Sequence, residues 1–280
     1  MKYEDVFKKY LGGIEKTLDA VIPASPQHPP VIHEAMRYSV FPGGKRFRPV
    51  ITLAACEAVG GKAKDALIPA AAIELIHSYS LVHDDLPALD NADERRGKPS
   101  CHKRFGEAMA VLTGDGLLNT AFQILADIKP RTKVVPLLRE ISTAAGIYGM
   151  IGGQVADLAS TGSDLDIPTL DFISIHKTGK LIKASAVCGA IMGGASKEVR
   201  RHIARYGESV GLAFQSVDDL IDGDGYLRIL KPSEARDKVR DLIALAKREI
   251  RPLGRRAKKL MILADFILER TPSEAHVPVD

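Results

Sequence analysis

The amino-acid sequence predicts an all-α fold that forms a single domain over residues 1–280. Apolar residues recur at helical spacing through nearly the whole chain, and no run alternates polar and apolar residues between hairpin turns. Aromatic residues make up only 5% of the chain and Trp is absent, whereas Ala and Leu abound. This bias favours helices packed closely through small side chains. No shift in composition marks a linker between domains.

Helical periodicity defines the elements in chain order. The predicted helices cover residues 3–20, 31–40, 49–59, 65–85, 107–128, 133–158, 168–194, 197–222, 233–249 and 255–270. The breakers between them are PASPQHPP at 23–30, GGK at 43–45 and 60–62, RRGKP at 95–99, STGSDLDIP at 160–168 and DGDGY at 222–226. The segment 65–85 carries apolar residues on more than one face, as expected of a helix in the centre of the fold.

Composition also limits the class of protein. The formal charge of +4 gives no general reason to expect a nucleic-acid partner. Cys56, Cys101 and Cys188 are widely spaced and form no CxxC pair, which is typical of reduced thiols in an intracellular protein. The charged start MKYEDVFKKY lacks the apolar core of a signal peptide, and the longest apolar run, around 184–195, is too short to span a bilayer. We therefore expect a soluble cytoplasmic protein without a transmembrane segment.

The segment 197–222 ends in an acidic cluster, VDDLID. Asp218 and Asp222 are four residues apart, and Asp219 and Asp222 are three apart, so the carboxylates share one helix face. Such a cluster by itself is equally well explained as a solvated helix end. The preceding residues 210–217, VGLAFQSV, are mostly apolar and indicate a buried helix. This context favours a set of oxygen ligands for Mg²⁺.

An earlier acidic cluster, HDDLPALD, follows the apolar part of segment 65–85. Asp84 and Asp90 are six residues apart and would not align on a straight helix, but Pro87 cannot continue the helical hydrogen bonds. The chain can therefore bend and bring Asp90 back beside Asp84 and Asp85. Two such clusters that face each other would hold several magnesium ions, and the ions would hold a diphosphate.

Three short runs supply cations that match phosphate oxygens. Arginine binds phosphate in bidentate fashion, and lysine acts as a point charge. The runs are GGKRFRP with Lys45, Arg46 and Arg48, ERRG with Arg95 and Arg96, and HKTGK with Lys177 and Lys180. Each run alone is more often a solubilising surface. Their occurrence together with two acidic clusters favours a diphosphate site.

The ordered motifs GGKRxRP, HDDxxxxD, RRG, KTG and FQxxDDxxD resemble those of the trans-isoprenyl diphosphate synthases, also called polyprenyl synthetases. The similarity runs from about residue 30 to residue 225 and points to bacterial short-chain farnesyl and geranylgeranyl diphosphate synthases. The resemblance implies an isoprenoid-synthase-type helical bundle around a deep central cavity, normally a homodimer. It also implies an enzyme that uses several Mg²⁺ ions to condense isopentenyl diphosphate with an allylic diphosphate such as dimethylallyl or geranyl diphosphate.

The resemblance assigns roles to the matching residues. The implied magnesium ligands are Asp84, Asp85 and Asp90 on one side and Asp218, Asp219 and Asp222 on the other. The implied ligands of the allylic diphosphate are Arg95 and Lys177, and the residues that face the developing allylic cation are Thr178 and Gln215. The implied ligands of isopentenyl diphosphate are Lys45, Arg48, His77 and Arg96. The implied catalytic set is Asp84, Asp85, Asp90, Lys177, Thr178, Gln215 and Asp218.

His77 and Tyr79 each have a second interpretation. A histidine in an apolar helix is more often a core residue, but His77 lies seven residues before Asp84 on the same helical stripe, which favours a cavity wall. By family analogy, Tyr79 and Ser80 form the floor against which the growing chain stops. A bulky Tyr79 then favours a farnesyl over a geranylgeranyl product, although ordinary core packing explains it nearly as well.

The sequence departs from the family pattern after Asp222. Family members usually carry a lysine-bearing loop at this place. Here GDGYLRILKPSEARDKV passes almost directly into the next helix, and Lys231 is the only lysine in reach. We expect the shorter loop to cover the site less well, which would expose a reactive intermediate to water.

Two alternatives to an active synthase stay open. A class I terpene cyclase shares the first acidic cluster, but cyclases usually replace the second DDxxD by a motif of Asn, Ser and Glu, and this chain keeps all three aspartates. A prenyl-diphosphate-binding subunit with weakened turnover would be consistent with the short loop. The basic run KREIRPLGRRAKK at 247–259 is most simply a solvated helix face, with contact to an anionic membrane as its alternative.

Overall fold

The computed structural model describes residues 1–162 and 164–272, so Ser163 and residues 273–280 of the predicted domain lie outside it. The α-helices of the described part are α1 Tyr3–Val21, α2 Pro30–Val40, α3 Phe47–Ala58, α4 Leu67–Asp84, α5 Cys101–Phe105, α6 Glu107–Ala126, α7 Val134–Ala145, α8 Met150–Ala159, α9 Ile167–Ile173, α10 Lys180–Met192, α11 Lys197–Asp222, α12 Pro232–Ile250 and α13 Lys258–Glu269. Two strands, β1 Glu94–Arg95 and β2 Lys98–Pro99, form a short ladder. The predicted all-α fold class is confirmed.

Four helices, α3, α4, α10 and α11, form the centre of the bundle. α3 packs on α10, α10 packs on α11, and α4 packs on α6. Nearly every residue of α10 is buried, and so is most of α4, which explains the apolar residues on several faces of α4. Small residues permit this packing: a Cβ added to Gly189 of α10 would lie 2.1 Å from the carbonyl oxygen of Thr52 in α3. One apolar cluster connects the helices from Val6 to Ile267.

The prediction of one helix over residues 133–158 is wrong, because the chain breaks at residues 146–149. α7 ends at Ala145, and Gly149 adopts a non-helical backbone with φ −142° and ψ −128°. A Cβ added to Gly149 would lie 2.1 Å from the carbonyl oxygen of Ala144, so glycine is required at this turn. Both helices carry apolar residues at helical spacing, so the periodicity continues across the break and conceals it.

Residues 94–105 contain structure that the sequence did not predict. β1 and β2 pair antiparallel with Arg95 opposite Lys98. The loop residues Arg96 and Gly97 have positive φ values of 55° and 71°, which suit the twist of a two-residue hairpin. The strands are too short to show an alternating pattern, and the five-residue helix α5 is too short to show a helical one.

The predicted helix 168–194 is interrupted by a π-helical turn at Ser174–Gly179, between α9 and α10. The turn packs against α11 through two glycines, since a Cβ added to Gly211 would lie 2.7 Å from the Cα of Gly179. π-Turns inside helices frequently occur at functional sites. This turn carries the KTG motif and therefore directs its side chains differently from a regular helix.

The remaining predicted boundaries agree with the structure to within a few residues. The predicted helix 255–270 begins as a regular helix only at Lys258, because the preceding 3-10 turn is kinked at Gly254, whose φ is 61°. A 3-10 turn at Ala63–Ala66 leads directly into α4. The start and the end of α11 agree with the prediction of a helix over residues 197–222.

Two helical stretches are long and apolar enough to cross a membrane by length and composition alone, Ala63–Asp84 and Arg131–Ala159. The apolar window of the first is 67% buried inside the bundle, as expected of a core helix, and that of the second is 33% buried. The break between α7 and α8 divides the second stretch. Within the described residues, these stretches are weak evidence for a membrane span.

Candidate active site

Two adjoining cavities lie beside the ends of α4 and α11 and the π-turn. The larger has a volume of about 640 Å³ and the smaller of about 260 Å³, and Thr178 and Gln215 line both. The other predicted residues that line the larger cavity are Lys45, Arg48, His77, Arg95, Arg96 and Asp218. The other predicted residues that line the smaller cavity are Lys177, Asp219 and Asp222. The fold therefore brings residues from four of the five sequence motifs together at the cavities. Asp84, Asp85 and Asp90 of the first acidic cluster line neither cavity, although Asp84 lies near enough for the charges of Lys177 and Arg95 to lower its pKa.

The end of α4 shapes the first acidic cluster. The helix ends at Asp84, and the backbone N–H of Asp90 donates to the carbonyl oxygen of Asp84 at 2.8 Å. Pro87 lies in the exposed bend between them. No helical hydrogen bond is required there, so the lack of an N–H on proline has no cost. The predicted return of the chain at Pro87 is thus confirmed.

The carboxylates of this cluster are incompletely neutralised. Burial raises the pKa of Asp84 to about 6, from an ordinary value of 3.8. The charges of Asp90 and Asp85 also raise this pKa, while those of Lys177 and Arg95 lower it. Because the pKa stays raised, a further cation at this place would stabilise the charged form of Asp84.

Asp85 is held by the hairpin. Its side chain is almost fully buried, and Arg95 Nε donates to Asp85 Oδ1 at 3.0 Å, while Arg95 Nη2 donates to the same oxygen. The hydrogen bond to Asp85 raises the pKa of the Arg95 guanidinium. Asp85 is therefore engaged by the protein itself and would have to exchange this partner to bind a metal ion.

Two of the three carboxylates of the second cluster, those of Asp218 and Asp219, also have protein partners. Arg270 Nη2 donates to Asp218 Oδ1 at 2.6 Å. Asp219 accepts hydrogen bonds from Gln215 Nε2 at 2.8 Å and from the backbone N–H of Tyr226 at 3.2 Å. Burial nevertheless raises the pKa of Asp219 to about 6, although both hydrogen bonds oppose the shift. Asp219 thus fixes the start of the following loop as well as facing the smaller cavity.

The described residues contain no group of three or more His, Cys, Asp or Glu side chains that could hold a metal ion by themselves. The predicted ligands that make no ion pair within this part of the chain are Asp84, Asp90 and Asp222. Mg²⁺ usually takes one or two protein carboxylates and completes its coordination with water and substrate phosphates. The donor set therefore fits Mg²⁺ that is held jointly by these carboxylates and a bound diphosphate.

The wall of the larger cavity that faces α3 is cationic. Lys45, Arg48 and Arg96 line it, and the buried Nε of Arg48 has no hydrogen-bond partner among the described residues. Burial, together with Arg48 and Arg96, lowers the pKa of His77 well below its ordinary value, so His77 is neutral at physiological pH. A Cβ added to Gly44 would lie 3.0 Å from the guanidinium of Arg96, so glycine allows this approach. Cations without carboxylate partners are well placed to bind an anion.

Arg46 belongs to the predicted cationic run GGKRFRP, but the fold uses it internally. Its side chain is buried and donates at 2.7 Å to Glu15 Oε1, to Glu74 Oε1 and to the carbonyl oxygen of Val40. Contrary to the expectation from the run, Arg46 is mainly a structural cation: it lines the larger cavity, but four of its five N–H donors bind other groups of the protein. Lys180 of the HKTGK run lines neither of the two cavities.

Hydrogen bonds connect the π-turn to α11 at the boundary of the two cavities. Thr178 Oγ1 donates to Gln215 Oε1 at 2.7 Å, and Gln215 Nε2 donates to Asp219 Oδ1 at 2.8 Å. Lys177 Nζ lies 2.6 Å from Asp157 Oδ2 of α8. These contacts orient the Thr178 and Gln215 dipoles, and both side chains line the place where the cavities adjoin.

The short loop after α11 supplies a cation that sequence analysis missed. Tyr226 is fully buried and anchors the loop, and Arg228 lines the smaller cavity and pairs with Asp224. Lys231 instead begins α12, where its backbone N–H donates to Glu234 Oε2 at 2.8 Å. The family resemblance predicts a lysine in this loop and assigns no role to an arginine.

Arg270 is the second functional candidate that sequence analysis missed. It follows α13, 52 residues beyond its partner Asp218, and its guanidinium lies 4.8 Å from the ring centroid of Phe214. Arg270 lines the larger cavity beside Lys45. No motif near Arg270 indicated this position, since only the packing of α13 brings it to the site.

Comparisons with known proteins agree with this geometry. The polyprenyl synthetase family matches residues 29–233. The chain is 45% identical over 242 residues to the large subunit 1 of a heterodimeric geranylgeranyl pyrophosphate synthase from Arabidopsis thaliana, which covers 84% of this chain and 65% of that protein. It is 41% identical over 281 residues to a dimethylallyltranstransferase from Fischerella ambigua, with coverage of 92% and 81%. An FPP/GFPP synthase from Zymomonas mobilis superposes with a TM-score of 0.90 and 37% identity over 95% of this chain and 98% of that chain.

The helical bundle brings acidic helix ends close to several cations. It shares its fold and a third or more of its residues with these enzymes, and this combination defines a class of protein. It is that of the short-chain trans-prenyltransferases. The chain belongs to the polyprenyl synthetase family. Membership explains why four motifs that are spread over nearly two hundred residues line one pair of cavities.

Proposed function

We propose that this protein condenses isopentenyl diphosphate with dimethylallyl or geranyl diphosphate to form a short-chain trans-prenyl diphosphate. The observation that carries the proposal is the pair of cavities that adjoin at Thr178 and Gln215. Each cavity has its own cations, so two diphosphates can bind side by side. Their hydrocarbon ends then meet at the shared boundary, where a new carbon–carbon bond can form.

In this proposal the two diphosphates have different ligands. Lys45, Arg48 and Arg96 bind isopentenyl diphosphate through charge-assisted hydrogen bonds, and the neutral His77 adds a polar contact without adding charge. The ligands proposed for the allylic diphosphate are Lys177, Arg95 and Arg228. This division follows the two cavities for Lys177 and Arg228, whereas Arg95 lines the larger cavity and is assigned to the allylic diphosphate by the family resemblance.

The same residues account for the chemistry. Asp84, Asp90 and Asp222 are the carboxylates best placed to hold Mg²⁺, which when bound neutralises charge on the leaving diphosphate. The oxygens of Thr178 and Gln215 face the carbon that becomes cationic and stabilise it by their dipoles. No side chain acts as a nucleophile, and the released diphosphate accepts the proton that is lost after condensation.

One assay tests this reaction against its alternatives. The purified protein is incubated with Mg²⁺, isopentenyl diphosphate and dimethylallyl, geranyl or farnesyl diphosphate, and the products are identified by chromatography and mass spectrometry, with chelated samples as the control. Elongated diphosphates support the proposal. Cyclic hydrocarbons formed without isopentenyl diphosphate would assign the protein to the terpene cyclases, and binding without turnover would assign it to the binding subunits.

We further propose that the product is farnesyl diphosphate. Tyr79 is buried in α4 about one turn before Asp84, and its ring meets that of His83 edge-on with centroids 5.8 Å apart. The hydroxyl of Tyr79 has no hydrogen-bond partner among the described residues. A rigid ring at this depth would stop a growing chain early. The similar proteins are named for geranylgeranyl as well as for farnesyl products, so their names do not choose between the two.

Replacing Tyr79 by Ala is expected to lengthen the product by at least one isoprene unit, because it removes the ring that we propose as the stop for the growing chain. The variant should also lose roughly 3–5 kcal/mol of stability from the cavity that remains. Product lengths are measured by chromatography after dephosphorylation. Tyr79→Phe keeps the ring and serves as the matched control, which should leave the product unchanged. An unchanged product in Tyr79→Ala would remove Tyr79 as the floor.

Replacing Arg228 by Ala is expected to raise the KM for the allylic diphosphate by about tenfold to a hundredfold, since a hydrogen bond between charged groups contributes about 1.5–3 kcal/mol. The KM for isopentenyl diphosphate should change much less, because Arg228 lines only the smaller cavity. Steady-state kinetics with each substrate varied in turn measure both constants. Arg240→Ala removes another exposed, paired arginine and is the control. Equal effects on both KM values would contradict the assignment.

We propose that two copies of the chain pair through an apolar face on α6, α7 and α8. The exposed apolar side chains on these helices and on the turn before α8 are Val111, Leu112, Val135, Ile147, Tyr148, Ile151, Val155 and Leu158. Ile147 and Tyr148 are exposed by 70% and 74%, and adjacent large apolar side chains of this kind usually mark an interface. One similar protein is named as the subunit of a heterodimer, so a different chain is the alternative partner.

Replacing Ile151 by Glu is expected to convert the proposed homodimer into a monomer, because a charge would be buried at the centre of an apolar interface. Size-exclusion chromatography with light scattering measures the mass of the assembly. Val31→Glu places the same charge at another exposed apolar position, on α2, and should leave the mass unchanged. A monomeric wild-type protein at micromolar concentration would contradict the proposal.

A further inference from the structure

A third cavity lies beyond the end of α3 that is remote from the candidate active site. Its volume is about 820 Å³, and it lies between the loop after α3, the turn at Ala63–Ala66 and the turn that precedes α13. α3 has 12 residues and is roughly 18 Å long, and Arg48 of the active site lies in its first turn. The third cavity shares no described lining residue with the two active-site cavities and is a separate site.

Cations without ion-pair partners line this cavity. They are Lys62, Lys64, Arg255, Arg256 and Lys258, and none makes an ion pair within residues 1–162 and 164–272. The carboxylate on its wall, that of Glu57, is already occupied. It accepts from Lys9 Nζ and from the hydroxyl of Tyr10, each at 2.8 Å, and it also binds Lys259. Like charges around one concavity repel each other, and a bound anion would remove that repulsion.

The backbone adds to the positive potential of the cavity. Gly60 has a φ of 98°, and a Cβ there would lie 3.2 Å from Arg256 Nη1, so glycine lets the guanidinium approach the main chain. The backbone N–H of Gly61 donates to the carbonyl oxygen of Cys56 in α3 at 2.9 Å, and this hydrogen bond fixes the loop. The helical segment that continues into α4 begins at Ala63, so its positive end faces the cavity. Lys64 lies in this first turn, where a cation is unfavourable.

We propose that this cavity is a second anion site, which binds a soluble phosphorylated ligand of the diphosphate or triphosphate class. Converging lysine and arginine donors beside a helix N-terminus are typical partners of phosphate oxygens. A soluble ligand fits better than a membrane, because Met1 is the one large exposed apolar side chain among the described lining residues. Docking to a bilayer requires apolar side chains beside the cations.

The proposal is tested by titrating the full chain with inorganic diphosphate and triphosphate in a calorimeter, in the presence of a chelator. The cavity variant is Lys64→Ala combined with Arg256→Ala. The matched control is Lys197→Ala combined with Arg201→Ala, which removes two exposed cations from the first turns of α11, including one at a helix start. Repeating each titration on a background with Lys45→Ala, Arg96→Ala, Lys177→Ala and Arg228→Ala weakens binding at both active-site cavities and leaves the third cavity as the remaining site.

On that background the cavity variant is expected to bind triphosphate at least about tenfold more weakly than the control pair, because it lacks two of the cations that would contact the anion. The anion should raise the melting temperature of the control and leave that of the cavity variant nearly unchanged. Equal binding by both pairs would overturn the proposal. Binding to phosphatidylglycerol vesicles without binding to either soluble anion would also overturn it and would assign the surface to a membrane.

Discussion

Replacing Asp84 by Asn is expected to lower kcat by roughly 10²–10³-fold or more, and at the same time to raise the melting temperature of the ligand-free protein. Turnover falls because Asn cannot supply the anionic oxygen that Mg²⁺ prefers. Stability rises because Asn removes a buried negative charge, whose desolvation outweighs the attraction of Lys177 and Arg95. The condensation assay and thermal unfolding measure the two effects on the same sample.

The gain in stability has a defined dependence on pH. The pKa of Asp84 is about 6 in the folded protein against an ordinary value of 3.8, so folding favours the protonated form. Above about pH 6 the charged carboxylate destabilises the folded state in full, and below about pH 4 the group is neutral in both states and has no effect. The advantage of Asn over Asp at position 84 should therefore be largest near neutral pH and decline as the pH falls from about 6 to about 4.

A neighbouring acid provides the control for this experiment. The Asp93 side chain is 79% exposed and pairs with Lys103 on the surface. Asp93→Asn should change stability by no more than about 0.5 kcal/mol and should leave turnover intact. Near-normal turnover in Asp84→Asn would remove Asp84 from the proposed metal site. A loss of turnover accompanied by a lower melting temperature would instead give Asp84 a structural role.

Replacing Arg46 by Met is expected to lower the free energy of unfolding by about 3–5 kcal/mol. The side chains of Arg46 and Glu74 are 1% and 2% exposed, so the substitution leaves the Glu74 charge buried without its partner. Arg46 also binds Glu15 of α1 and the carbonyl oxygen of Val40, and thereby connects the first four helices. Urea unfolding followed by circular dichroism measures the loss.

Two further variants distinguish the effect of losing the Arg46 contacts on the free energy of unfolding from the effect of leaving Glu74 buried and unpaired. Combining Arg46→Met with Glu74→Met removes both buried charges and should recover a large part of the stability, because apolar replacements of a buried pair are often neutral. Arg104→Met removes an arginine that pairs with Glu34 on the surface and should cost less than about 1 kcal/mol. A comparable, small loss in Arg46→Met and Arg104→Met would contradict the structural role of Arg46.

Much of the fold and of the site could be predicted from local patterns. Helical periodicity located the long helices, and helix-end acids at Asp84 and Asp222 coincide with the observed ends of α4 and α11. The bend at Pro87 was predictable, because proline removes a donor regardless of its surroundings. The break at Gly149 was not predictable. It depends on the close approach of Gly149 to the backbone of Ala144, which the spacing of apolar residues does not indicate.

The sequence by itself determined which groups are available: two acidic helix ends, three cationic runs and the helices that carry them. These follow from covalent chemistry and from spacings of a few residues, which helical geometry converts into shared faces. Only the tertiary structure decided which charge meets which. In the folded protein Arg46 pairs with Glu74, Arg95 with Asp85 and Arg270 with Asp218. Arg228 lines the smaller cavity. The reason is physical: a charge is neutralised by the groups that pack against it, and their separation along the chain ranges from 10 residues for Arg95 and Asp85 to 52 for Arg270 and Asp218.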